Sequence, residues 1–217
     1  MPTSLKPYTS LWPVAWTTLF LAVFFWSAIN PKDFLTWVLE VAPAVIGFII
    51  LVFTRKSFPL TTLCYTLILL FSWILFVGGH YTYAEVPLFD TIREMFGQSR
   101  NNFDKLGHFA QGFVPAIICR EIIIRRQIIN HKFFTPFFTV CFCLALSAFY
   151  ELIEWWVALL SEEAAEAFLG TQGYVWDTQS DMAWALSGAI IALVLFGKIH
   201  TKQIQQLQLK SHGKLHD

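Results

Sequence analysis

Apolar and polar positions along the chain alternate as long apolar windows with short polar breaks. Six windows reach the roughly 18 or more residues needed to cross a hydrocarbon layer of about 30 Å. They cover residues 11–29, 34–53, 58–77, 104–124, 134–159 and 178–198. The pattern predicts an all-α polytopic integral membrane protein, a six-transmembrane-helix bundle forming a single membrane domain over 1–217. Within it, 1–77 reads as three scaffold helices and 78–103 as an outer loop. Residues 104–198 read as three helices carrying polar clusters, and 199–217 as a basic cytoplasmic tail. The first window follows only Lys6 and lacks an A-x-A cleavage pattern, so it reads as a retained helix rather than a secretory signal.

Composition agrees with this reading. Of 217 residues, 56% are hydrophobic and 14% charged, against about 25% charged in an ordinary soluble domain. The formal net charge is zero, but the basic residues are unevenly placed. With the N-terminus inside, eleven of the fifteen Lys and Arg fall in inner segments, and only Lys32, Arg93, Arg100 and Lys105 fall outside. Short cytoplasmic loops hold such an excess, so both termini are expected to be cytoplasmic. The basic tail from Lys198 suits anionic lipid better than nucleic acid, which calls for a far larger basic surplus. Cys64, Cys119, Cys141 and Cys143 lie inside predicted spans without CxxC spacing, and they read as small packing residues. No internal repeat supports an inverted-repeat transporter.

Candidate chemistry sits where polar groups interrupt oily chain. On a helix starting near Asp104, residues Asp104, His108 and Gln111 are spaced i, i+4, i+7 and share one face. Gln111 would lie roughly 10 Å below the helix start. The fifth window ends in "SAFYELIEWW", which puts Ser147, Glu151 and Glu154 on one face, the two carboxylates about 13 and 9 Å from the outer end. The sixth opens with "WDTQSDM", in which Asp177 and Asp181 are four apart. Asp177 or Thr178 also makes an ordinary N-cap. Unpaired carboxylates cost at least about 2.5 kcal/mol each at the centre of a span, so these groups are expected to turn inward. They either clamp helices together or line one outward-facing pocket. His80 and Glu85, in the outer loop, complete the candidates. HExxH, GxSxG, P-loop and CxxC motifs are absent.

At these residues the sequence resembles the YjdF family of bacterial inner-membrane proteins, in "GGHYTYAEVPLFD", "DKLGHFAQGF", "YELIEWW" and "GTQGYVWDTQSDM". The order of DK-x-x-HF, an acidic motif in the next helix and D-x-x-x-D entering the last is more distantly similar to VanZ-like membrane proteins. Ala185 and Glu154 stand where that pattern carries Asn and Gln. The resemblance implies a multi-pass protein of the bacterial inner membrane and places the matched polar positions in the clusters above.

The expected pocket has His108, Glu151, Glu154 and Asp181 as catalytic candidates and His80, Glu85, Gln111 and Asp177 as substrate-binding candidates. Asp104, His108, Glu151 and Asp181 are candidate ligands for a divalent metal ion, because carboxylates and an imidazole suit a hard or borderline cation. A shared proton between two carboxylates is the other chemistry open to them. The expected partners are membrane lipid and a lipid-linked envelope substrate, with no nucleic acid. Three functions stay open: an enzyme or cation-assisted envelope factor, a proton-coupled transporter, and a non-catalytic membrane partner or assembly factor.

Overall fold

The computed structural model describes residues 11–160 and 174–213. Parts of two expected features, the outer loop before the last helix and the far end of the basic tail, lie outside the described residues. Those described are helical throughout: α1 (Trp12–Ser27), α2 (Phe34–Thr54), α3 (Thr62–Tyr81), a 3₁₀ turn (Tyr83–Glu85), α4 (Pro87–Phe96), α5 (Phe103–Arg125), α6 (Phe134–Leu160) and α7 (Asp177–Gly213).

Local chemistry explains the boundaries. Asp33 caps α2, its carboxylate accepting the Thr36 N–H at 2.6 Å, and Thr61 caps α3 through the Cys64 N–H. Both satisfy backbone donors that a helix start leaves without partners. Pro87 opens α4 and Gly97 ends it at φ +61°, a left-handed conformation glycine adopts without a side-chain clash. The stretch 78–103 is thus largely ordered: α3 runs on to Tyr81, and a turn and a short helix follow.

The direction of each helix follows from what its ends touch. The Lys32 N–H donates to His80 O at the α4 end, whereas Thr61 at the start of α3 meets Glu121 late in α5 at the far end. Lys105 at the start of α5 meets Asp181 at the start of α7. Accordingly α1, α3 and α6 run toward the α4 end, and α2, α5 and α7 run away from it.

Two cores hold the bundle. In one, Trp16 and Phe20 of α1 pack with Val41, Ala44, Leu75 and Phe76 of α2 and α3. In the other, Val114 and Ile117 of α5 meet small residues of the neighbouring helices, including Cys64, Cys143, Ala189 and Ala192. Small residues let α5 and α7 approach to backbone contact: a Cβ on Gly112 would lie 1.7 Å from Ala185 O, and one on Gly188 would lie 2.1 Å from Phe109 O.

Six windows were expected to span. By length and apolar composition four helices qualify: α2, α3, α6 and α7. α1 has 16 residues, or about 24 Å of rise. α5 is long enough but too polar, and much of its surface faces protein. It packs against α3, α6 and α7, and ten of its 23 residues are buried. The outer flanks of the other helices are apolar and exposed, including Phe53, Leu160 and Val194.

Candidate functional site

Between α2, α5, α6 and the start of α7 lies a recess of about 180 Å³. Asp104, His108 and Gln111 reach it from one face of α5, and Glu151 and Glu154 from one face of α6. Asp177 and Asp181 reach it from the first two turns of α7. The i, i+4 spacings read from the sequence thus converge on one cavity. His80 and Glu85, expected to bind substrate, do not line it. His80 packs against Trp26, ring centroids 4.6 Å apart, and meets Ser27 O at 3.1 Å, while Glu85 pairs with Lys32 at the exposed end.

The recess divides into two parts with different chemistry. At the α4 end, Lys105 Nζ lies 2.7 Å from Asp177 Oδ1 and 2.7 Å from Asp181 Oδ1. Arg100 bridges both oxygens of Asp177 at 2.9 Å and also pairs with Asp104. Partial burial works to lower the pKa of Arg100, yet its hydrogen bonds to Asp177 and the charge of Asp104 raise it above the ordinary arginine value. Asp104, Asp177 and Asp181 have the proximity of a metal site, but each is already paired with Lys105 or Arg100. This part ties α5 to α7.

One turn deeper the balance reverses. His108 Nε2 lies 3.7 Å from Asp181 Oδ2, and Nδ1 lies 3.8 Å from Glu151 Oε1. Nδ1 is also 3.1 Å from Gln111 Oε1. With Nδ1–H donating to Gln111, the Nε2 lone pair is left facing Asp181, the kind of outer hydrogen bond that orients a metal-ligating histidine. Glu151 Oε1 is buried and has no hydrogen-bond partner among the described residues. One ligand atom each from His108, Glu151 and Asp181 lie within 4.8 Å of one another. Glu154 and Glu40 add carboxylates on the α2 side. The Tyr150 hydroxyl donates to Glu40 at 3.5 Å, and Tyr83 does so as well.

Several of these participants carry little local signal. Lys105 and Arg100 read as outer-surface cations, and only the position of α7 gives them buried partners. Arg100 does stand four residues before Asp104, the spacing of a helical ion pair. Tyr83 is anchored by two glycines, since a Cβ at Gly78 or Gly107 would come within 2.3 or 2.7 Å of its ring.

A second polar cluster closes the opposite end. Glu121, fully buried, accepts from Thr61 N and Oγ1, from Arg125 at 2.7 Å and from His200 Nε2 at 3.0 Å. Cys64, expected as a packing residue, donates its thiol to the same carboxylate at 3.0 Å. Cys64, Glu121 and His200 are also close enough to hold a metal ion. However, Arg120 lies 3.1 Å from His200 Nδ1, and a guanidinium can only donate. That contact leaves the imidazole proton on Nε2, facing Glu121. The cluster is a hydrogen-bonded lock between α3, α5 and α7.

A family described as "Predicted membrane protein (DUF2238)" matches residues 12–202. The "Inner membrane protein YjdF" of Escherichia coli (strain K12) is 46% identical over 187 residues, covering 86% of this chain and 90% of the relative. No solved structure matches. This is a multi-pass protein of the inner membrane, and its exposed apolar faces contact lipid. A family match along nearly the whole chain, together with this identity, means that the chain belongs to the DUF2238, or YjdF, family of membrane proteins.

Proposed function

We propose that the deeper half of the recess binds a divalent cation through His108, Glu151 and Asp181, and that the cation and the neighbouring Glu40 and Glu154 receive the polar head group of a lipid-linked envelope substrate. The carrying observation is Glu151 Oε1, a buried carboxylate oxygen with no hydrogen-bond partner among the described residues, in a group whose His108, Glu151 and Asp181 ligand atoms lie within 4.8 Å of one another. Leaving such an oxygen bare is costly, and a cation removes the cost. Asp104 and Asp177, although near, serve the Lys105 and Arg100 clamp in this reading.

All six apolar elements cross the bilayer in this proposal, with both termini cytoplasmic and the recess facing outward. The alternating helix directions and the eleven-to-four placement of basic residues support that orientation.

The clamp reading keeps one part of the site, because Lys105 with Asp177 and Asp181 joins helices as such a clamp should. A proton-coupled transporter finds less support. Between Gln111 and Glu121 the α5 core presents Val114, Ala116 and Ile117 against Ala189 and Ala192, an apolar layer between the two polar clusters.

Metal content of purified protein tests the proposal. Wild type should retain a stoichiometric divalent ion, Glu151→Gln and His108→Ala should lose it, and Asp104→Asn should keep it. Equal content in all four proteins would refute the cation site.

A further inference from the structure

Next to the polar recess lies an apolar groove of about 460 Å³ that no part of the site chemistry uses. Its walls come from α2 (Gly47, Ile50), α3 (Ile68) and α5 (Ile118, Ile122), and Arg126 stands at its far end. The groove exists because α2 packs on α3 and makes no extensive contact with α5. Pro43 of α2 and Pro115 of α5 stand where the groove meets the recess, and each proline removes a backbone donor from its helix.

The two cavities adjoin and have walls in common. Pro43, Phe71, Leu75 and Pro115 line both. On one side of this boundary stand carboxylates and an imidazole; on the other the walls are aliphatic for about 16 Å along α5, from Pro115 to Arg126. Ile50 on the groove wall is 54% exposed, so the groove opens laterally to the surroundings of the bundle. In a membrane those surroundings are hydrocarbon. A helix, about 10–12 Å across, does not fit a space of this size, whereas a single extended hydrocarbon chain does.

We infer that this groove seats one hydrocarbon chain of an amphiphile whose polar head occupies the recess, so that the substrate class is a lipid with its head drawn about a third of the way into the bilayer. This rests on reading the recess as a head-group site, but the groove can be tested without the cation. Gly47 supplies the means, because a Cβ there meets nothing within 4 Å: an aromatic ring at this position fills the groove without striking backbone.

The probe is a lysophospholipid with a diazirine-bearing palmitoyl chain, added to the full protein in nanodiscs, photolysed and mapped by peptide mass spectrometry. The expected result is labelling of Ile50 and of Ile118 or Ile122 in wild type, with the labelling of Ile118 and Ile122 lost in Gly47→Phe and in Ile50→Trp. Labelling of the lipid-facing Ile46 and Ile49 should be unchanged, which also reports that the variants fold. Groove labelling that survives both variants, or labelling confined to Ile46 and Ile49, overturns the inference. A dimer that becomes monomeric in Gly47→Phe also overturns it, since a second copy would then be the occupant. Metal loss without loss of groove labelling in Glu151→Gln leaves the inference standing. Wild-type protein without metal but with specific groove labelling refutes the cation site alone.

Discussion

Lys105 Nζ stands 2.7 Å from Asp181 Oδ1, while Oδ2 of the same carboxylate faces His108 Nε2 at 3.7 Å. Asp181 therefore belongs to two assemblies at once, the ionic clamp between α5 and α7 and the carboxylate–imidazole cluster below it. The clamp fixes where the second oxygen points, so packing and site geometry are coupled through this one side chain.

The first consequence concerns stability. Removing one member of a buried ion pair leaves the partner charge uncompensated and typically costs about 3–5 kcal/mol. Lys105→Met should fall in that range, since the Lys105 and Asp181 side chains are 10% and 9% exposed. Thermal unfolding in detergent is the measurement, and the double variant Lys105→Met/Asp181→Asn should recover part of the loss. Additive losses would mean that the pair does not act as one unit.

Gly112 should tolerate no side chain. Overpacking usually costs about 1–3 kcal/mol, but the obstacle at Gly112 is the Ala185 carbonyl, and backbone yields less than a side chain. Gly112→Ala should lower the melting temperature by more than Gly188→Ala, whose Cβ would lie 2.1 Å from Phe109 O. Gly47→Ala, in open space, should match wild type.

At the opposite end, Glu121→Ala would leave the Thr61 N–H, the Arg125 guanidinium and the His200 N–H without their acceptor. Loss of about 3 kcal/mol or more is expected for a buried charged hub of this kind. Glu121→Gln keeps the size and part of the acceptor capacity and should lose less. Cys64→Ser, which preserves a donor to Glu121, should be nearly neutral in the same melting assay.

Asp33 gives a pH-dependent outcome. The Thr36 backbone N–H, and then its hydroxyl, hold the Asp33 carboxyl below its ordinary value. The folded pKa is thus depressed, so this cap contributes fully above the unfolded value of about 3.9 and fades as pH falls through the folded one. Asp33→Ala should cost about 1 kcal/mol at neutral pH. The difference between variant and wild type should narrow when unfolding is followed below pH 4; a gap that stays constant would show that the cap acts without its charge.

The sequence by itself determined the class and half of the site. A charged side chain in an apolar window is costly wherever the helices go, so the four-residue spacings of His108, Glu151 and Asp181 announced an inward-facing cluster before any packing was known. Apolar length announced the helices for the same reason. What the tertiary structure decided were the pairings between distant positions. Lys105 becomes an internal counterion only because α7 starts beside it, and Glu121 meets His200 across 79 positions with no local pattern linking them. Glu40, Tyr83 and Tyr150 come together from α2, the 3₁₀ turn and α6. The polarity of α5, which weakens its appearance as a span, makes sense once its polar face is seen to meet α6 and α7. Local spacing fixes which face a group occupies on its own helix, whereas its partner depends on the close approach of backbones that Gly112 and Gly188 permit, and that is a property of two helices together.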